Sequence, residues 1–155
     1  MELKINKELT ELLGETPMFR DLFEEERAEI AVRMELHQFD SGKEIFREGD
    51  PGGQLLVIFS GSVEVQKSRS HGIGKIVIAR FERGGVLGEM SLVDGMPRSA
   101  TVVAVKPTKV YVLTQDGLDE IIETNPHLAV KFMKGLAALL SVRLRNTSGW
   151  FADVF

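Results

Sequence analysis

The sequence predicts a mainly β fold with flanking helices (α+β), a jelly-roll-like β-roll with N-terminal helices and a long C-terminal helix. Three observations predict it. Most of the 15 glycines fall between residues 35 and 114, so turns are frequent there. Between the turns lie short runs rich in β-branched residues, at intervals of about 8–12 residues, the spacing of strands in a sandwich or barrel. On either side of that zone apolar residues return every three or four positions, the period of a helix. The chain has 155 residues, 43% hydrophobic and 27% charged, which is the make-up of one ordinary globular domain spanning 1–155.

Taken in order, residues 1–34 read as N-terminal helices. Leu9, Leu12 and Leu13 share one face, and Leu22, Phe23, Ile30, Ala31 and Met34 share another. Gly14 and Pro17 punctuate the two. Residues 35–114 form the β-roll, with strands expected at 54–60, 62–67, 75–81, 99–105 and 109–114 and weaker strand signals at 34–39 and 44–47. Residues 115–155 turn helical again. A short helix over 116–123 is stopped by Asn125-Pro126, and Pro126 suits the first turn of the next helix because its missing N–H would lack a partner there anyway. That last helix runs to about residue 146 on Leu128, Phe132, Leu136, Leu139, Leu140, Val142 and Leu144. No internal repeat or low-complexity tract interrupts this plan.

Composition excludes several kinds of function. Without cysteine there is neither disulfide nor thiolate chemistry, which suits the cytoplasm. No apolar run approaches the ~20 residues of a spanning helix, and the N-terminus has no secretory pattern, so no membrane partner is expected. A net charge of −4 without a dense basic cluster argues against general nucleic-acid binding. The three histidines, His37, His71 and His127, lie far apart and lack metal-ligand spacing, and no His-x-His motif of a cupin enzyme occurs. Carboxylates are abundant, but none accompanies a plausible nucleophile or base. The chain is therefore expected to be no enzyme, with neither metal nor cofactor.

Chemistry concentrates in residues 84–101, a long connection between two strands, and such connections tend to be functional. Gly88 permits close approach of backbone to a ligand. Glu89 to Leu92 can form one helical turn, and Asp94-Gly95 returns the chain. Pro97 restrains the backbone before Arg98, whose planar fork matches two phosphate oxygens. Ser99 adds a hydroxyl donor, and Glu89 an acceptor for a sugar hydroxyl.

Gly88-Glu89-Met90-Ser91-Leu92, followed after five residues by Arg98-Ser99-Ala100-Thr101, resembles the phosphate-binding cassette of the cyclic nucleotide-binding domain family. Gly42, Ile45 and Glu48-Gly49-Asp50 resemble that family's first turn, and Gly61-Ser62-Val63-Glu64-Val65 its next strand entry. The resemblance runs from about Met18 to Ser148. It implies a β-roll that binds cAMP or cGMP, with Glu89 accepting from the ribose 2′-hydroxyl and Arg98 pairing with the cyclic phosphate. Ser99 would donate to that phosphate, assisted by backbone N–H groups of Gly88, Ser91 and Ala100, with Met90 part of the same cassette. Residues 142–148 resemble the helix that carries base contacts in catabolite activator-like members, which implies that Thr147 and Ser148 read adenine across a homodimer formed through the C-terminal helix. This favours cAMP over cGMP.

The resemblance has departures. Leu87 stands where phenylalanine or isoleucine is common before the Gly-Glu pair. No helix-turn-helix follows the last helix, so direct DNA binding is not expected. Trp150, Phe151 and Phe155 form an aromatic group that suits dimer or core packing better than a lid over the base. The reading is of a stand-alone regulatory sensor that moves its C-terminal helices on binding and acts through an unidentified effector protein. A ligand-free β-roll that serves as an interaction or scaffold module is the alternative.

Overall fold

The computed structural model describes residues 6–154, with side chains described for 6–147. Eight strands form two four-stranded sheets: β1 Met34–Phe39, β2 Glu44–Phe46, β3 Gln54–Ser60, β4 Val63–Ser68, β5 Lys75–Phe81, β6 Val86–Leu87, β7 Thr101–Ala104 and β8 Thr108–Thr114. The first sheet has the order β1-β8-β3-β6 and the second β2-β7-β4-β5, all neighbours antiparallel. Five α-helices accompany them among the described residues: α1 Lys7–Glu15, α2 Glu24–Ala31, α3 Glu89–Asp94, α4 Gln115–Thr124 and α5 Pro126–Val154. A single 3-10 turn, Pro17–Phe19, separates α1 from α2.

The two faces of the first sheet bury different partners. Along β3, Leu56 and Ile58 point between the sheets, where they meet Val63, Leu87, Val102, Val110 and Val112. The intervening Leu55 and Val57 join Tyr111 and Leu113 of β8 against the helices. Covering on both sides explains the unbroken apolar runs in β3 and β8, since a strand buried on both faces has no polar side to show. The second sheet has only one buried face, and β5 exposes Ile76, Val77 and Ile78. That is why β4 alternates in sequence while β3 does not.

The helical layer packs Leu9, Leu12 and Leu13 of α1 and Ile30 and Ala31 of α2 with Leu118 and Ile121 of α4 and Leu128, Phe132 and Leu136 of α5. Caps fix the ends: the Asn6 side chain accepts from the Leu9 N–H, and the Thr114 hydroxyl accepts from the Gly117 N–H at 3.1 Å. The α5 stripe is buried to Leu136 and half-buried at Leu139 and Leu140, and beyond these Val142 and Leu144 are exposed. The helix therefore outruns the helical core it packs on. At Gly135 it lies against the 3-10 turn so closely that a Cβ would stand 2.1 Å from the Met18 carbonyl oxygen.

Several local expectations are corrected. Phe23 does not join a buried helical face: it stands 69% exposed at the start of α2, with Lys131 of α5 4.3 Å above its ring. Its backbone N–H is capped by the Glu26 carboxylate, which the Lys131 ammonium and that N–H hold below the usual carboxylate pKa. Met34, read both as the end of a helical face and as the start of a weak strand, opens β1, because its backbone pairs with Leu113. Gly14 lies within α1 instead of breaking it. Strand β6 lies inside the stretch read as connection, its two residues paired with Leu56 and Val57. The strand expected from residue 99 begins at Thr101, and α5 continues past residue 146 to Val154.

Two substitutions test this packing. Gly135→Ala is expected to destabilise the fold by roughly 1–3 kcal/mol despite alanine's better helix propensity, because a backbone carbonyl must move. Thr114→Ala is expected to cost about 1 kcal/mol, with Thr114→Ser close to wild type. Urea unfolding midpoints check both; a Gly135→Ala protein as stable as wild type would show that the contact with Met18 yields easily.

Candidate functional site

One cavity of about 180 Å³ opens beside the sequence stretch that carries the polar motif. Its apolar wall comes from Phe46, Val65, Ile78, Phe81, Leu87 and Val102. Its polar side is built by Gly88, Glu89, Ser91, Arg98 and Ser99, with Arg143 reaching in from α5. Met90 and Ala100 also line it, so seven residues singled out in sequence, Gly88 to Ser91 and Arg98 to Ala100, are brought together.

Local rules explain how. Gly88 caps α3 with φ 74°, a left-handed conformation that glycine adopts freely, and Gly95 ends the helix in the same way at φ 66°. A Cβ on Gly88 would also lie 2.4 Å from Arg98 Nη1 and 2.5 Å from the Gln54 carbonyl oxygen, so the position is closed to side chains on two grounds. Backbone pairing with the turn after β2 holds the far end of the connection. Arg98 N–H donates to the Asp50 carbonyl at 2.8 Å, and Gly49 N–H donates to the Arg98 carbonyl at 2.8 Å. Lys67 of β4 donates to the Ser99 carbonyl at 2.7 Å, and Thr101 Oγ1 accepts from Glu48 N–H at 3.0 Å.

Arg98 is 5% exposed. Its Nη1 donates to the Gln54 carbonyl at 3.0 Å and to the Gly88 carbonyl at 3.4 Å, while its buried Nε has no hydrogen-bond partner among the described residues. Burial pushes the guanidinium pKa down from its ordinary value, and the charges of Glu89 and Asp50 pull it back up. Arg27 and Arg33 also carry a buried Nε without a hydrogen-bond partner among the described residues; Arg98 differs in being almost fully buried and in lining this cavity.

Glu89 is buried at 6% exposure and already engaged: Arg143 Nη1 donates to its carboxylate, and Arg143 Nη2 donates to the Val86 carbonyl at 2.6 Å. Arg143 also lies over the Phe81 ring at 5.3 Å. This arginine was missed as a site residue in the sequence. It stands 54 positions from Glu89, and no spacing rule connects them; the only signal was a cation within residues 142–148, the stretch that resembles a base-contacting helix.

The remaining sequence expectations fare differently. Thr147 is exposed, its hydroxyl donates to the Arg143 carbonyl one turn back at 3.0 Å, and it does not line the cavity. The side chains of Ser148, Trp150, Phe151 and Phe155 lie outside the described residues. His37, His71 and His127 are exposed and separate, and no cluster of three metal-ligating side chains occurs among the described residues. None of the described helices is long and apolar enough to cross a membrane.

A cavity with one buried cation, one buried carboxylate and an apolar wall suits a small ligand that carries an anionic group, hydroxyls and an apolar ring. A 110-residue stretch, 71% of the chain, is 33% identical to the cAMP-dependent protein kinase regulatory subunit of Aspergillus niger, and covers 26% of that protein. The chain thus spans about a quarter of the length of such curated relatives. A crystal structure of a cyclic nucleotide-binding domain from Methylobacillus flagellatus superposes with TM-score 0.85 at 34% identity, over 96% of this chain and 83% of that one. The Thermus thermophilus catabolite activator protein matches with TM-score 0.80 at 31% identity, over 90% of this chain and 63% of that one. The family model of the cyclic nucleotide-binding domain covers residues 36–125, and with the β-roll fold this chain belongs to that regulatory, non-catalytic family.

Proposed function

We propose that the chain is a cAMP sensor in which Arg98 takes the cyclic phosphate and Glu89 the ribose. The observation that carries this reading is the buried Arg98 guanidinium, which lines the cavity and makes no carboxylate contact among the described residues. A cyclic phosphate is a singly charged diester, and a fixed, desolvated guanidinium is the charge-assisted donor it requires. Ser99 donates its hydroxyl to the same group, and backbone N–H groups of Gly88, Ser91 and Ala100 assist. Glu89 accepts from the 2′-hydroxyl, which separates ribose from deoxyribose.

The Arg143 contact supports a route from ligand to helix. A 2′-hydroxyl on Glu89 shares or displaces the Arg143 donor, and Arg143 belongs to α5 beyond the point where the helical core holds it. Ligand binding would then shift the population of α5 positions, because the ligand interacts differently with the arrangements in which Arg143 is bound and released. Adenine contacts from Thr147 and Ser148 follow such a rearrangement, with the second set supplied across a homodimer through α5. The output goes to an effector protein.

Calorimetric titration with cAMP, with cGMP and 5′-AMP as controls, tests the reading. Wild type is expected to bind cAMP, and 5′-AMP much more weakly. Arg98→Ala is expected to lose about 10- to 100-fold in affinity, the effect of deleting a charge-assisted pair, and Arg98→Lys to recover part of it. A folded, ligand-free wild-type protein silent to both cyclic nucleotides would favour a β-roll scaffold instead. Unchanged affinity in Arg98→Ala would remove the phosphate assignment.

A further inference from the structure

A cation buried as deeply as Arg98 ordinarily has a carboxylate partner, because an unpaired charge is expensive to desolvate. The two carboxylates whose charge reaches it are directed elsewhere. Asp50 accepts from the Arg47 N–H at 3.0 Å, within its own turn, and Glu89 accepts from Arg143. What Arg98 has instead, besides two carbonyl oxygens on Nη1, is a ring: its Cζ lies 4.2 Å from the centroid of Phe46. Phe46 is the last residue of β2, half-buried against the core between the sheets, and it also lines the cavity.

A ring and a carboxylate occupy different parts of a guanidinium. The π face attracts the cation perpendicular to its plane, whereas the N–H donors point outward within the plane. A carboxylate would take two of those in-plane donors, the pair that a phosphate needs. We propose that Phe46 is a positioning residue for anion binding. Its ring stabilises the buried Arg98 charge from the face, so the in-plane donors other than Nη1 stay open to phosphate, with no carboxylate bonded to them among the described residues. This assignment rests on the phosphate reading of Arg98. It also gives β2 a part in recognition that its place in the first turn did not suggest, since Phe46 and Arg98 are 52 positions apart in the chain. The ring supplies no hydrogen bond to the ligand and acts only through the guanidinium.

Two measurements on the full chain test it. The first follows the Arg98 Nε–H resonance by NMR in the ligand-free protein, where the ring current of Phe46 should displace it from the ordinary arginine position. Phe46→Leu should return the resonance to that position, and Phe46→Tyr should keep it displaced. The second is calorimetric affinity for cAMP, expected to fall about tenfold in Phe46→Leu and to stay within about twofold in Phe46→Tyr. If Phe46→Leu fails to fold by circular dichroism, Phe46→Met is read in its place. Wild-type affinity in a folded leucine or methionine variant would overturn the role of Phe46 while leaving cAMP binding intact. An Arg98 resonance unmoved by loss of the ring would overturn it equally. Absence of cAMP binding in wild type would overturn the binding reading and this assignment together, whatever the resonance does.

Discussion

The buried guanidinium of Arg98 sets the terms for the elements around it. Gln54 and Gly88 give it carbonyl oxygens, Phe46 covers its face, and Gly88 must lack a Cβ because Nη1 occupies that space. Those three residues come from β3, from the cap of α3 and from β2, so a single side chain ties both sheets to the connection that bears it. The backbone of Arg98 is fixed as well, through two hydrogen bonds to the turn at Gly49 and Asp50. Such a charge is costly in an apolar interior and is tolerated because carbonyls and a π face offset part of its lost hydration. The donor left over is where a ligand would contribute.

Arg143 makes the corresponding link on the other side of the cavity. It reaches from α5 to Glu89 and to the Val86 carbonyl, at a point on the helix where the apolar stripe has already left the helical core. The N-terminal half of α5 is held by Phe132, Leu136 and the glycine contact at Met18, all in the body of the fold. Further along, Arg143 contacts Glu89, the Val86 carbonyl and the Phe81 ring. A helix held by packing in its first half and by an ion pair at Arg143 can respond to a ligand that competes for the ion pair, whereas well-packed apolar contacts shift only at greater cost.

The double coverage of the first sheet places the cavity at the second. With helices on one face and the sandwich core on the other, β3 and β8 have no surface left for a ligand. The second sheet and the cassette between the strands β6 and β7 leave the concave space, and the apolar wall of Val65, Ile78, Phe81 and Val102 comes from that sheet.

Much of this was legible in the sequence, for physical reasons that differ by element. Strands β3 and β5 matched the reading to the residue because glycines and polar residues bound short β-branched runs, and Pro126 marked the start of α5 because proline fits a helix only at its first turn. The stretch 84–101 was legible because its turn glycines, carboxylate and arginine stand at a recognisable spacing along the chain. Strand β6 was not, since two residues show no period and are strand only by pairing with β3. Phe23 was misplaced because an aromatic beside a helical stripe looks the same in sequence whether it is buried or lies under a lysine. The roles of Phe46 and Arg143 were equally hidden, as each depends on a partner about fifty residues away. The sequence by itself determined the order of the elements and the residue types gathered at the cassette, because turn chemistry, period and charge act over a few residues. Which carboxylate Arg143 reaches and which ring covers Arg98 were decided only by the tertiary structure, because the packing of two sheets and a helix sets those distances.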